Sequence, residues 1–229
     1  MNIFDSSEKT IGELFSSNTI YIIPNYQRPY SWEERHVEDL WKDVLDTVAQ
    51  AKSLRKDFPG YFIGTIYIRN VTDFEDLDEH LKMILKGSEN VFGRLENAKG
   101  QDLKFIELLD GQQRLITLFL LREQLNLSNW LTLKNGHRIA CILPAIQDRE
   151  FLLKLVNSEN NNHPIPLTYS QRKLQATQEF WLRNMTINNL PNDIDFSQIS
   201  HASELQIIIC LFRNMLSKFF KVKMIAVRN

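Results

Sequence analysis

The stretch KFIELLDGQQRLITLFLLREQL, residues 104–125, decides the fold because it contains a buried strand, a glycine turn and a buried helix in succession. Lys104–Leu109 is a short apolar run, typical of an interior strand. Gly111–Leu125 is apolar nearly all round, which predicts a helix buried on more than one side. Asp110 ends the strand, and together with Gln113 it matches an N-terminal capping pattern. The stretch therefore predicts an α/β fold.

Segments on both sides of this stretch extend the pattern. Runs rich in β-branched and aromatic residues predict strands over Thr19–Ile23, Tyr61–Ile68, 138–143 and Val222–Val227. Apolar residues at helical spacing predict helices near residues 10–15, 34–48, 77–85, 145–156, 170–185 and 205–219. We predict an α/β (α+β) fold in which Thr19–Ile23, Tyr61–Ile68 and Lys104–Leu109 share one sheet. We place a core over residues 1–143 and a mainly helical extension, ending in a strand, over residues 144–229.

Composition and charge narrow the class of protein. The formal net charge is -1, so DNA binding would need a local basic patch made by folding. Apolar runs are too short to span a bilayer, and the N-terminus lacks the pattern of an export signal. Cys141 and Cys210 stand alone in apolar runs, which indicates two reduced core thiols. We expect a cytoplasmic protein with no membrane association.

Several common catalytic patterns are missing from the sequence. Neither a phosphate-loop motif nor a G-x-G-x-x-G dinucleotide motif occurs, and no G-x-S-x-G elbow is present. The five histidines are scattered without metal-ligand spacing: His36, His80, His137, His163 and His201. Two polar segments remain that the fold does not obviously require.

The first polar segment is Asp110–Arg114, where a strand passes through a glycine into a helix. Free N–H groups and the helix dipole favour an anion there, and Gly111 allows close approach to the backbone. Arg114 can form paired bonds to phosphate oxygens, and Gln112 or Gln113 can orient a water or a ligand. Asp110 would repel phosphate unless it holds Mg²⁺ or only caps the helix. The alternative is purely structural, with Asp110 and Gln113 capping and Arg114 a solvated arm.

The second polar segment, Tyr26–Trp32, combines three aromatic residues, an arginine and a glutamine. Aromatic rings with an arginine suit stacking on a base and binding phosphate. The alternative is a packed corner stiffened by prolines. We favour that alternative for Trp32 and a functional role for Arg28 and Tyr30.

Together with Phe62-Ile63-Gly64, these two segments resemble the DGQQR-type N-terminal domain of the GmrSD family of modification-dependent (type IV) restriction enzymes and their anti-phage relatives. Weaker similarity extends the resemblance over about residues 10 to 229. The resemblance implies a ParB/sulfiredoxin-like, nucleotide-binding core over residues 1–143. It also implies that the core binds a nucleoside triphosphate, GTP or ATP, and hydrolyses it with Mg²⁺.

The resemblance also implies roles for individual residues. Catalysis would use Asp110, Gln113 and Arg114, with Asp110 also the Mg²⁺ ligand. Nucleotide binding would use Gly111, Gln112, Tyr26, Gln27 and Arg28. DNA sensing would use Arg28, Tyr30 and Trp32.

Family members pair this domain with a nuclease, usually a C-terminal histidine–metal one, which is missing from these 229 residues. The family domain also continues past the last predicted strand, so the helical extension is expected to be truncated or naturally short. Expected partners are DNA, modified or not, a separate nuclease domain or subunit, and a second copy of the chain as a homo-oligomer.

Our leading hypothesis is a regulatory or sensor module of a DNA-modification-dependent restriction or anti-phage system that binds and hydrolyses a nucleoside triphosphate. The alternative is a non-enzymatic DNA-binding module that senses modified DNA and recruits a nuclease. We expect the chain alone not to cut DNA, since no third metal ligand accompanies Asp110 and Glu107.

Overall fold

A computed structural model describes residues 4–15, 18–52, 61–86, 92, 94–125, 127, 130–134, 136–157, 164–184 and 220–227. Its strands are β1 Phe4–Thr10, β2 Thr19–Ile22, β3 Tyr61–Val71, β4 Lys104–Asp110, β5 Trp130–Thr132, β6 Arg138–Ala140, β7 Ile142–Leu143 and β8 Phe220–Val227. Its helices are α1 Ile11–Leu14, α2 Glu34–Lys52, α3 Glu79–Ile84, α4 Gln112–Gln124, α5 Ile146–Asn157 and α6 Tyr169–Asn184, with a short 3-10 helix at Phe74–Asp76.

Six strands form one mixed sheet in the order β1-β8-β3-β4-β2-β7. Strand β2 is parallel to both β4 and β7, whereas β3 and β4 are antiparallel. The prediction that the strands near residues 19–23, 61–68 and 104–109 share one sheet is confirmed, and so is the α/β class.

The last strand, β8, connects the predicted core, residues 1–143, with the predicted extension, residues 144–229. Strand β8 runs parallel to β3 and antiparallel to β1, between them. A strand from the predicted extension therefore completes the sheet of the predicted core.

Two features of the sheet were not predicted from the sequence. Strand β1 lies at an edge, and its residues Asp5–Glu8 are exposed, so it has no apolar alternation to mark it. The single strand expected over residues 138–143 is divided at Cys141 into β6 and β7, which belong to different sheets. Both outcomes depend on pairing with distant strands.

The predicted helices near residues 10–15, 34–48, 77–85, 145–156 and 170–185 are confirmed as α1, α2, α3, α5 and α6. The helix expected over residues 205–219, and Cys210, lie outside the described residues. Among the described residues, no helix is both long enough and apolar enough to cross a membrane.

Helix α4 lies at the centre of the core, where it packs against α6 and reaches β7. Its buried residues face all sides, as predicted, with Leu118, Phe119 and Leu120 fully enclosed. Trp181 of α6 meets Trp41 of α2 edge-on, with ring centroids 5.7 Å apart. This packing holds the first turn of α4 in a fixed position at the end of β4.

Cys141 is a buried free thiol, and burial raises its pKa.

Candidate functional site

A glycine turn joins β4 to α4. Gly111 has φ 92°, a left-handed conformation that favours glycine. A Cβ at this position would overlap Cγ2 of Ile66, so any other side chain would collide with β3. The expected capping by Asp110 and Gln113 is wrong. Gly111 occupies the N-cap position without a side-chain hydrogen bond, and Asp110 is still part of β4.

The loop between β2 and α2, residues 23–33, docks on this turn through side-chain amides. Gln27 Nε2 donates to the carbonyl oxygen of Leu109 at 2.8 Å. Gln112 Nε2 donates to the carbonyl oxygen of Arg28 at 2.9 Å. The two polar segments predicted from sequence therefore lie together, as a shared site requires.

Gln113 connects to the same loop with both ends of its amide. Its Nε2 donates to the carbonyl oxygen of Pro29 at 3.2 Å, and its Oε1 accepts from the backbone N–H of Ser31 at 2.9 Å. The side chain is buried. Because both polar atoms bind backbone, the predicted catalytic role of Gln113 in orienting a water is not supported. Its amide positions the loop instead.

A cavity of about 200 Å³, called here the turn cavity, lies between the loop and the turn. It is lined by Gln27, Arg28, Trp32, Asp110, Gly111, Gln112, Gln113 and Arg114. Eight of the predicted site residues thus share one cavity. Tyr26 and Tyr30 are not part of its lining.

The charged groups around the turn cavity are not neutralised by one another. In the described part of the chain, neither Arg28 nor Arg114 forms an ion pair. The Arg114 side chain is half-buried and donates from Nη1 to the carbonyl oxygen of Thr65 at 3.1 Å. Asp110 is exposed, and its Oδ1 accepts from the N–H of Gly111 at 2.7 Å. Two cations and one anion therefore remain available to a ligand.

Gln112 adds an unsatisfied polar atom at the same place. The residue is only 5% exposed, and its Oε1 is buried without a hydrogen-bond partner. A buried acceptor without a partner is unfavourable by about 1–3 kcal/mol. Gln112 also starts α4, whose first N–H groups have no intrahelical acceptors. The N–H groups at the start of α4 are therefore the donors that this end of the turn cavity offers to a ligand.

The structure does not support the predicted role of Tyr30 in DNA sensing, because the side chain is not accessible to DNA. It is 2% exposed, and burial raises its pKa to about 12. Its hydroxyl lies 2.7 Å from Oγ1 of Thr117 in α4 and 3.0 Å from Oγ1 of Thr177 in α6. The hydroxyl therefore ties the loop to two core helices.

We expect Tyr30→Phe to lower the free energy of unfolding by about 1–2 kcal/mol, because two buried threonine hydroxyls lose a partner. Urea denaturation of the variant measures this change. The matched control is Tyr169→Phe, since Tyr169 is 56% exposed and its change should leave stability unaltered. A stable Tyr30→Phe variant with weakened DNA binding would restore the sensing role.

Tyr26 forms a hydrogen-bonded group with Glu107 and Arg69, which the sequence did not predict. It is 69% exposed, yet its hydroxyl donates to Oε1 of Glu107 at 3.1 Å. Arg69 Nε donates to Oε2 of the same carboxylate at 2.7 Å. Burial and the Glu107 carboxylate raise the pKa of Tyr26. Glu107 therefore already forms an ion pair with Arg69. The sequence alone does not reveal this pair, because it depends on the pairing of β3 with β4, which places Arg69 opposite Glu107.

Trp32 is partly buried and packs against the core, as favoured from sequence. Its ring stacks on His36 with centroids 5.9 Å apart. Trp32 is also one of the residues that line the turn cavity.

Metal ligands are sparse in the described ranges. No group of three or more histidine, cysteine or acidic side chains that could hold a metal ion occurs there. Asp110 is the carboxylate that lines the turn cavity.

The fold and the site define an α/β domain organised around a strand–glycine–helix turn. Residues 11–227 match the family model of the GmrSD restriction endonuclease, N-terminal domain, and the chain belongs to this family. It is accordingly a component of a restriction, anti-phage defence system, in a family that works with DNA and a nuclease domain. No curated protein matches the chain.

Proposed function

We propose that this chain is a regulatory module that binds and hydrolyses a nucleoside triphosphate, with the phosphates in the turn cavity. One observation carries the proposal: Arg28 and Arg114, neither of them ion-paired within the described residues, line one cavity with the first turn of α4. Arginine binds phosphate oxygens through paired, charge-assisted hydrogen bonds. The helix start supplies N–H donors and a positive dipole end to the same anion.

The size of the turn cavity limits what part of a nucleotide enters it. Its volume of about 200 Å³ is below the roughly 300–1,000 Å³ of sites that enclose drug-sized ligands. Phosphate groups would therefore occupy the cavity, and the base and sugar would lie at its mouth. Trp32 and Arg28 at the lining offer an aromatic ring and a guanidinium for stacking.

The donor set also suits Mg²⁺. Magnesium is commonly bound by one or two carboxylates together with substrate phosphates. Asp110 is exposed, forms no ion pair with a described residue, and lies at the cavity. When bound, Mg²⁺ would neutralise charge on the phosphate oxygens, and Asp110 is the side chain that would hold it.

Hydrolysis would proceed by attack of water on the terminal phosphorus. The bond to the bridging oxygen breaks, and the nucleoside diphosphate leaves with that oxygen while the water becomes part of the released phosphate. Arg114 and the N–H groups at the start of α4 would stabilise the negative charge on the transferring phosphoryl group. Gln112, Gln113 and Gln27 would hold the loop and the turn in the required arrangement.

A non-enzymatic DNA-binding module is the second candidate, and one observation favours it. Tyr26 and Arg28 are both exposed and lie two residues apart in the loop that docks on the turn. An exposed aromatic ring and a guanidinium in one loop suit stacking on a base and contact with a DNA phosphate. In this case the module would sense modified DNA and recruit a nuclease.

A thermal-shift panel of ATP, GTP and their non-hydrolysable analogues, with and without Mg²⁺, tests the proposal. A ligand at 100 times its Kd stabilises by about 2.7 kcal/mol, which corresponds to roughly 5–10 °C in a chain of this size. We expect one nucleotide to produce this shift in Mg²⁺ only. No shift with any nucleotide, combined with DNA binding that weakens steeply with salt, would favour the second candidate.

A further inference from the structure

Gly64 lies in β3 with φ 132°, in the region that side chains rarely adopt. The pairing of β3 with β8 is irregular here, since Phe62 pairs with Lys221 and Gly64 with Val222. Ile63 is the extra residue of a β-bulge. Because of the bulge, Gly64 shares a sheet face with Tyr61 and with the buried Ile66.

The guanidinium of Arg114 occupies the space where a side chain of residue 64 would be. A Cβ on Gly64 would lie 2.6 Å from Nη1 and 2.9 Å from Cζ of Arg114. Nη1 also donates to the carbonyl oxygen of Thr65 at 3.1 Å. The guanidinium therefore lies directly on the backbone of β3.

We infer that Gly64 is a positioning residue of the phosphate site, because its missing side chain leaves the space that holds the Arg114 guanidinium. The inference rests on the proposed function for its effect on nucleotide binding. The contact between the two residues stands on its own.

Two further residues lie on the same face of β3 as Gly64. On the same face, Ile66 lies under Gly111, and Tyr61 donates a hydrogen bond to Asp43 of α2. Burial raises the pKa of Tyr61 to about 12, Asp43 adds to the rise, and the positive charge of Arg114 opposes it. Tyr61 is thus within electrostatic reach of the guanidinium. A side chain at residue 64 would push Arg114 outward from the strand.

The expected effect follows from distance. Ordinary contacts begin at about 3.4 Å, so a methyl group 2.6 Å from Nη1 requires a displacement of nearly 1 Å. A misplacement of about 1 Å in a binding group can reduce activity by about a hundredfold. A small change in this strand therefore acts on the ligand through Arg114.

A double-mutant cycle tests the inference on the full chain with the Mg²⁺–nucleotide that binds most tightly in the panel. We expect Gly64→Ala to weaken affinity by up to the roughly 10- to 100-fold loss expected for removing the Arg114 contact itself. In an Arg114→Ala background the same change should weaken it by less than about threefold, because the affected group is gone. Affinity unchanged in Gly64→Ala, or lowered equally in both backgrounds, overturns the inference.

The control for backbone strain is Gly136→Ala. Gly136 also has positive φ, 84°, but a Cβ there would meet nothing within 4 Å. We expect this variant to lose some stability and to keep its nucleotide affinity.

A second readout separates this inference from the proposed function. In protein without nucleotide, Gly64→Ala should shift the NMR resonance of the Arg114 side-chain Nε–H, assigned by its loss in Arg114→Ala. If no nucleotide binds the wild-type chain, the proposed function fails, and this shift then supports only the positioning of the Arg114 guanidinium by Gly64. An unmoved resonance overturns that role.

Discussion

Arg114→Ala is expected to weaken nucleotide binding by about one to two orders of magnitude while leaving the fold nearly intact. A charge-assisted, paired hydrogen bond contributes roughly 1.5–3 kcal/mol, which corresponds to that loss in affinity. The loss in turnover should be larger if the contact strengthens in the transition state. Isothermal titration with the nucleotide and a phosphate-release assay measure the two effects.

The structure also predicts a small change in stability for this variant. Arg114 is half-buried and its hydrogen bond goes to the backbone of Thr65, so its removal leaves no buried carboxylate without a partner. The free energy of unfolding should change by about 0.5 kcal/mol, far from the 3–5 kcal/mol of a broken buried ion pair. Arg172→Ala, an exposed arginine outside the turn cavity, is the matched control. Unchanged affinity in a stable Arg114→Ala protein would remove the site proposed here.

The largest expected effect on stability belongs to Arg149, in α5. Its side chain is 3% exposed and binds both carboxylate oxygens of Asp78, at 2.9 and 2.8 Å. It also donates to the carbonyl oxygen of Pro144 and lies 3.1 Å from Nδ1 of His80, which must accept because a guanidinium only donates. Arg149→Met should lower the free energy of unfolding by about 3–5 kcal/mol, because Asp78 loses its cation in a half-buried position. Chemical denaturation measures this loss.

The dependence of this effect on pH gives a direct check. Burial is the strongest single influence on Asp78 and opposes its ionisation. The hydrogen bonds from Arg149 and from the backbone N–H of Leu81, together with the positive charge of Arg149, outweigh burial in sum and hold the pKa of Asp78 below its ordinary value. A depressed pKa stabilises the fold above the unfolded-state pKa of about 3.9, and this stabilisation is lost as pH falls through the folded-state pKa. The difference between wild type and Arg149→Met should therefore shrink below about pH 4.

The matched control is Lys154→Met in the same helix. Lys154 pairs with Glu150 on the surface, where both side chains are largely exposed. The denaturation midpoint of this variant should not move. Equal effects of the two substitutions would contradict the importance assigned to the buried pair.

Much of the fold follows from local sequence. The apolar run before Gly111 indicates a buried strand, and the stretch after it, apolar on all sides, indicates a buried helix. The amphipathic spacing in α2 and the composition of β2, β3 and β8 have the same local character. The two polar segments were also recognisable, because each places glutamine and arginine side chains shortly after an apolar strand.

The tertiary structure decided the roles of individual side chains. Gln113 matches a capping pattern locally, yet its amide binds Pro29 and Ser31, more than 80 residues away along the chain. Tyr30 looks like a loop aromatic and is buried by contacts with Thr117 and Thr177.

The sequence by itself indicated most of the strands and helices and pointed to the two segments that line the turn cavity, because these depend on local conformation and apolar periodicity. Only the tertiary structure decided that β8 enters the sheet between β1 and β3, and that Gly64 makes room for Arg114. The physical reason is the range of the interactions. Strand order, side-chain burial and hydrogen bonds between distant residues depend on how the elements pack, and a local pattern contains no information about its distant partner.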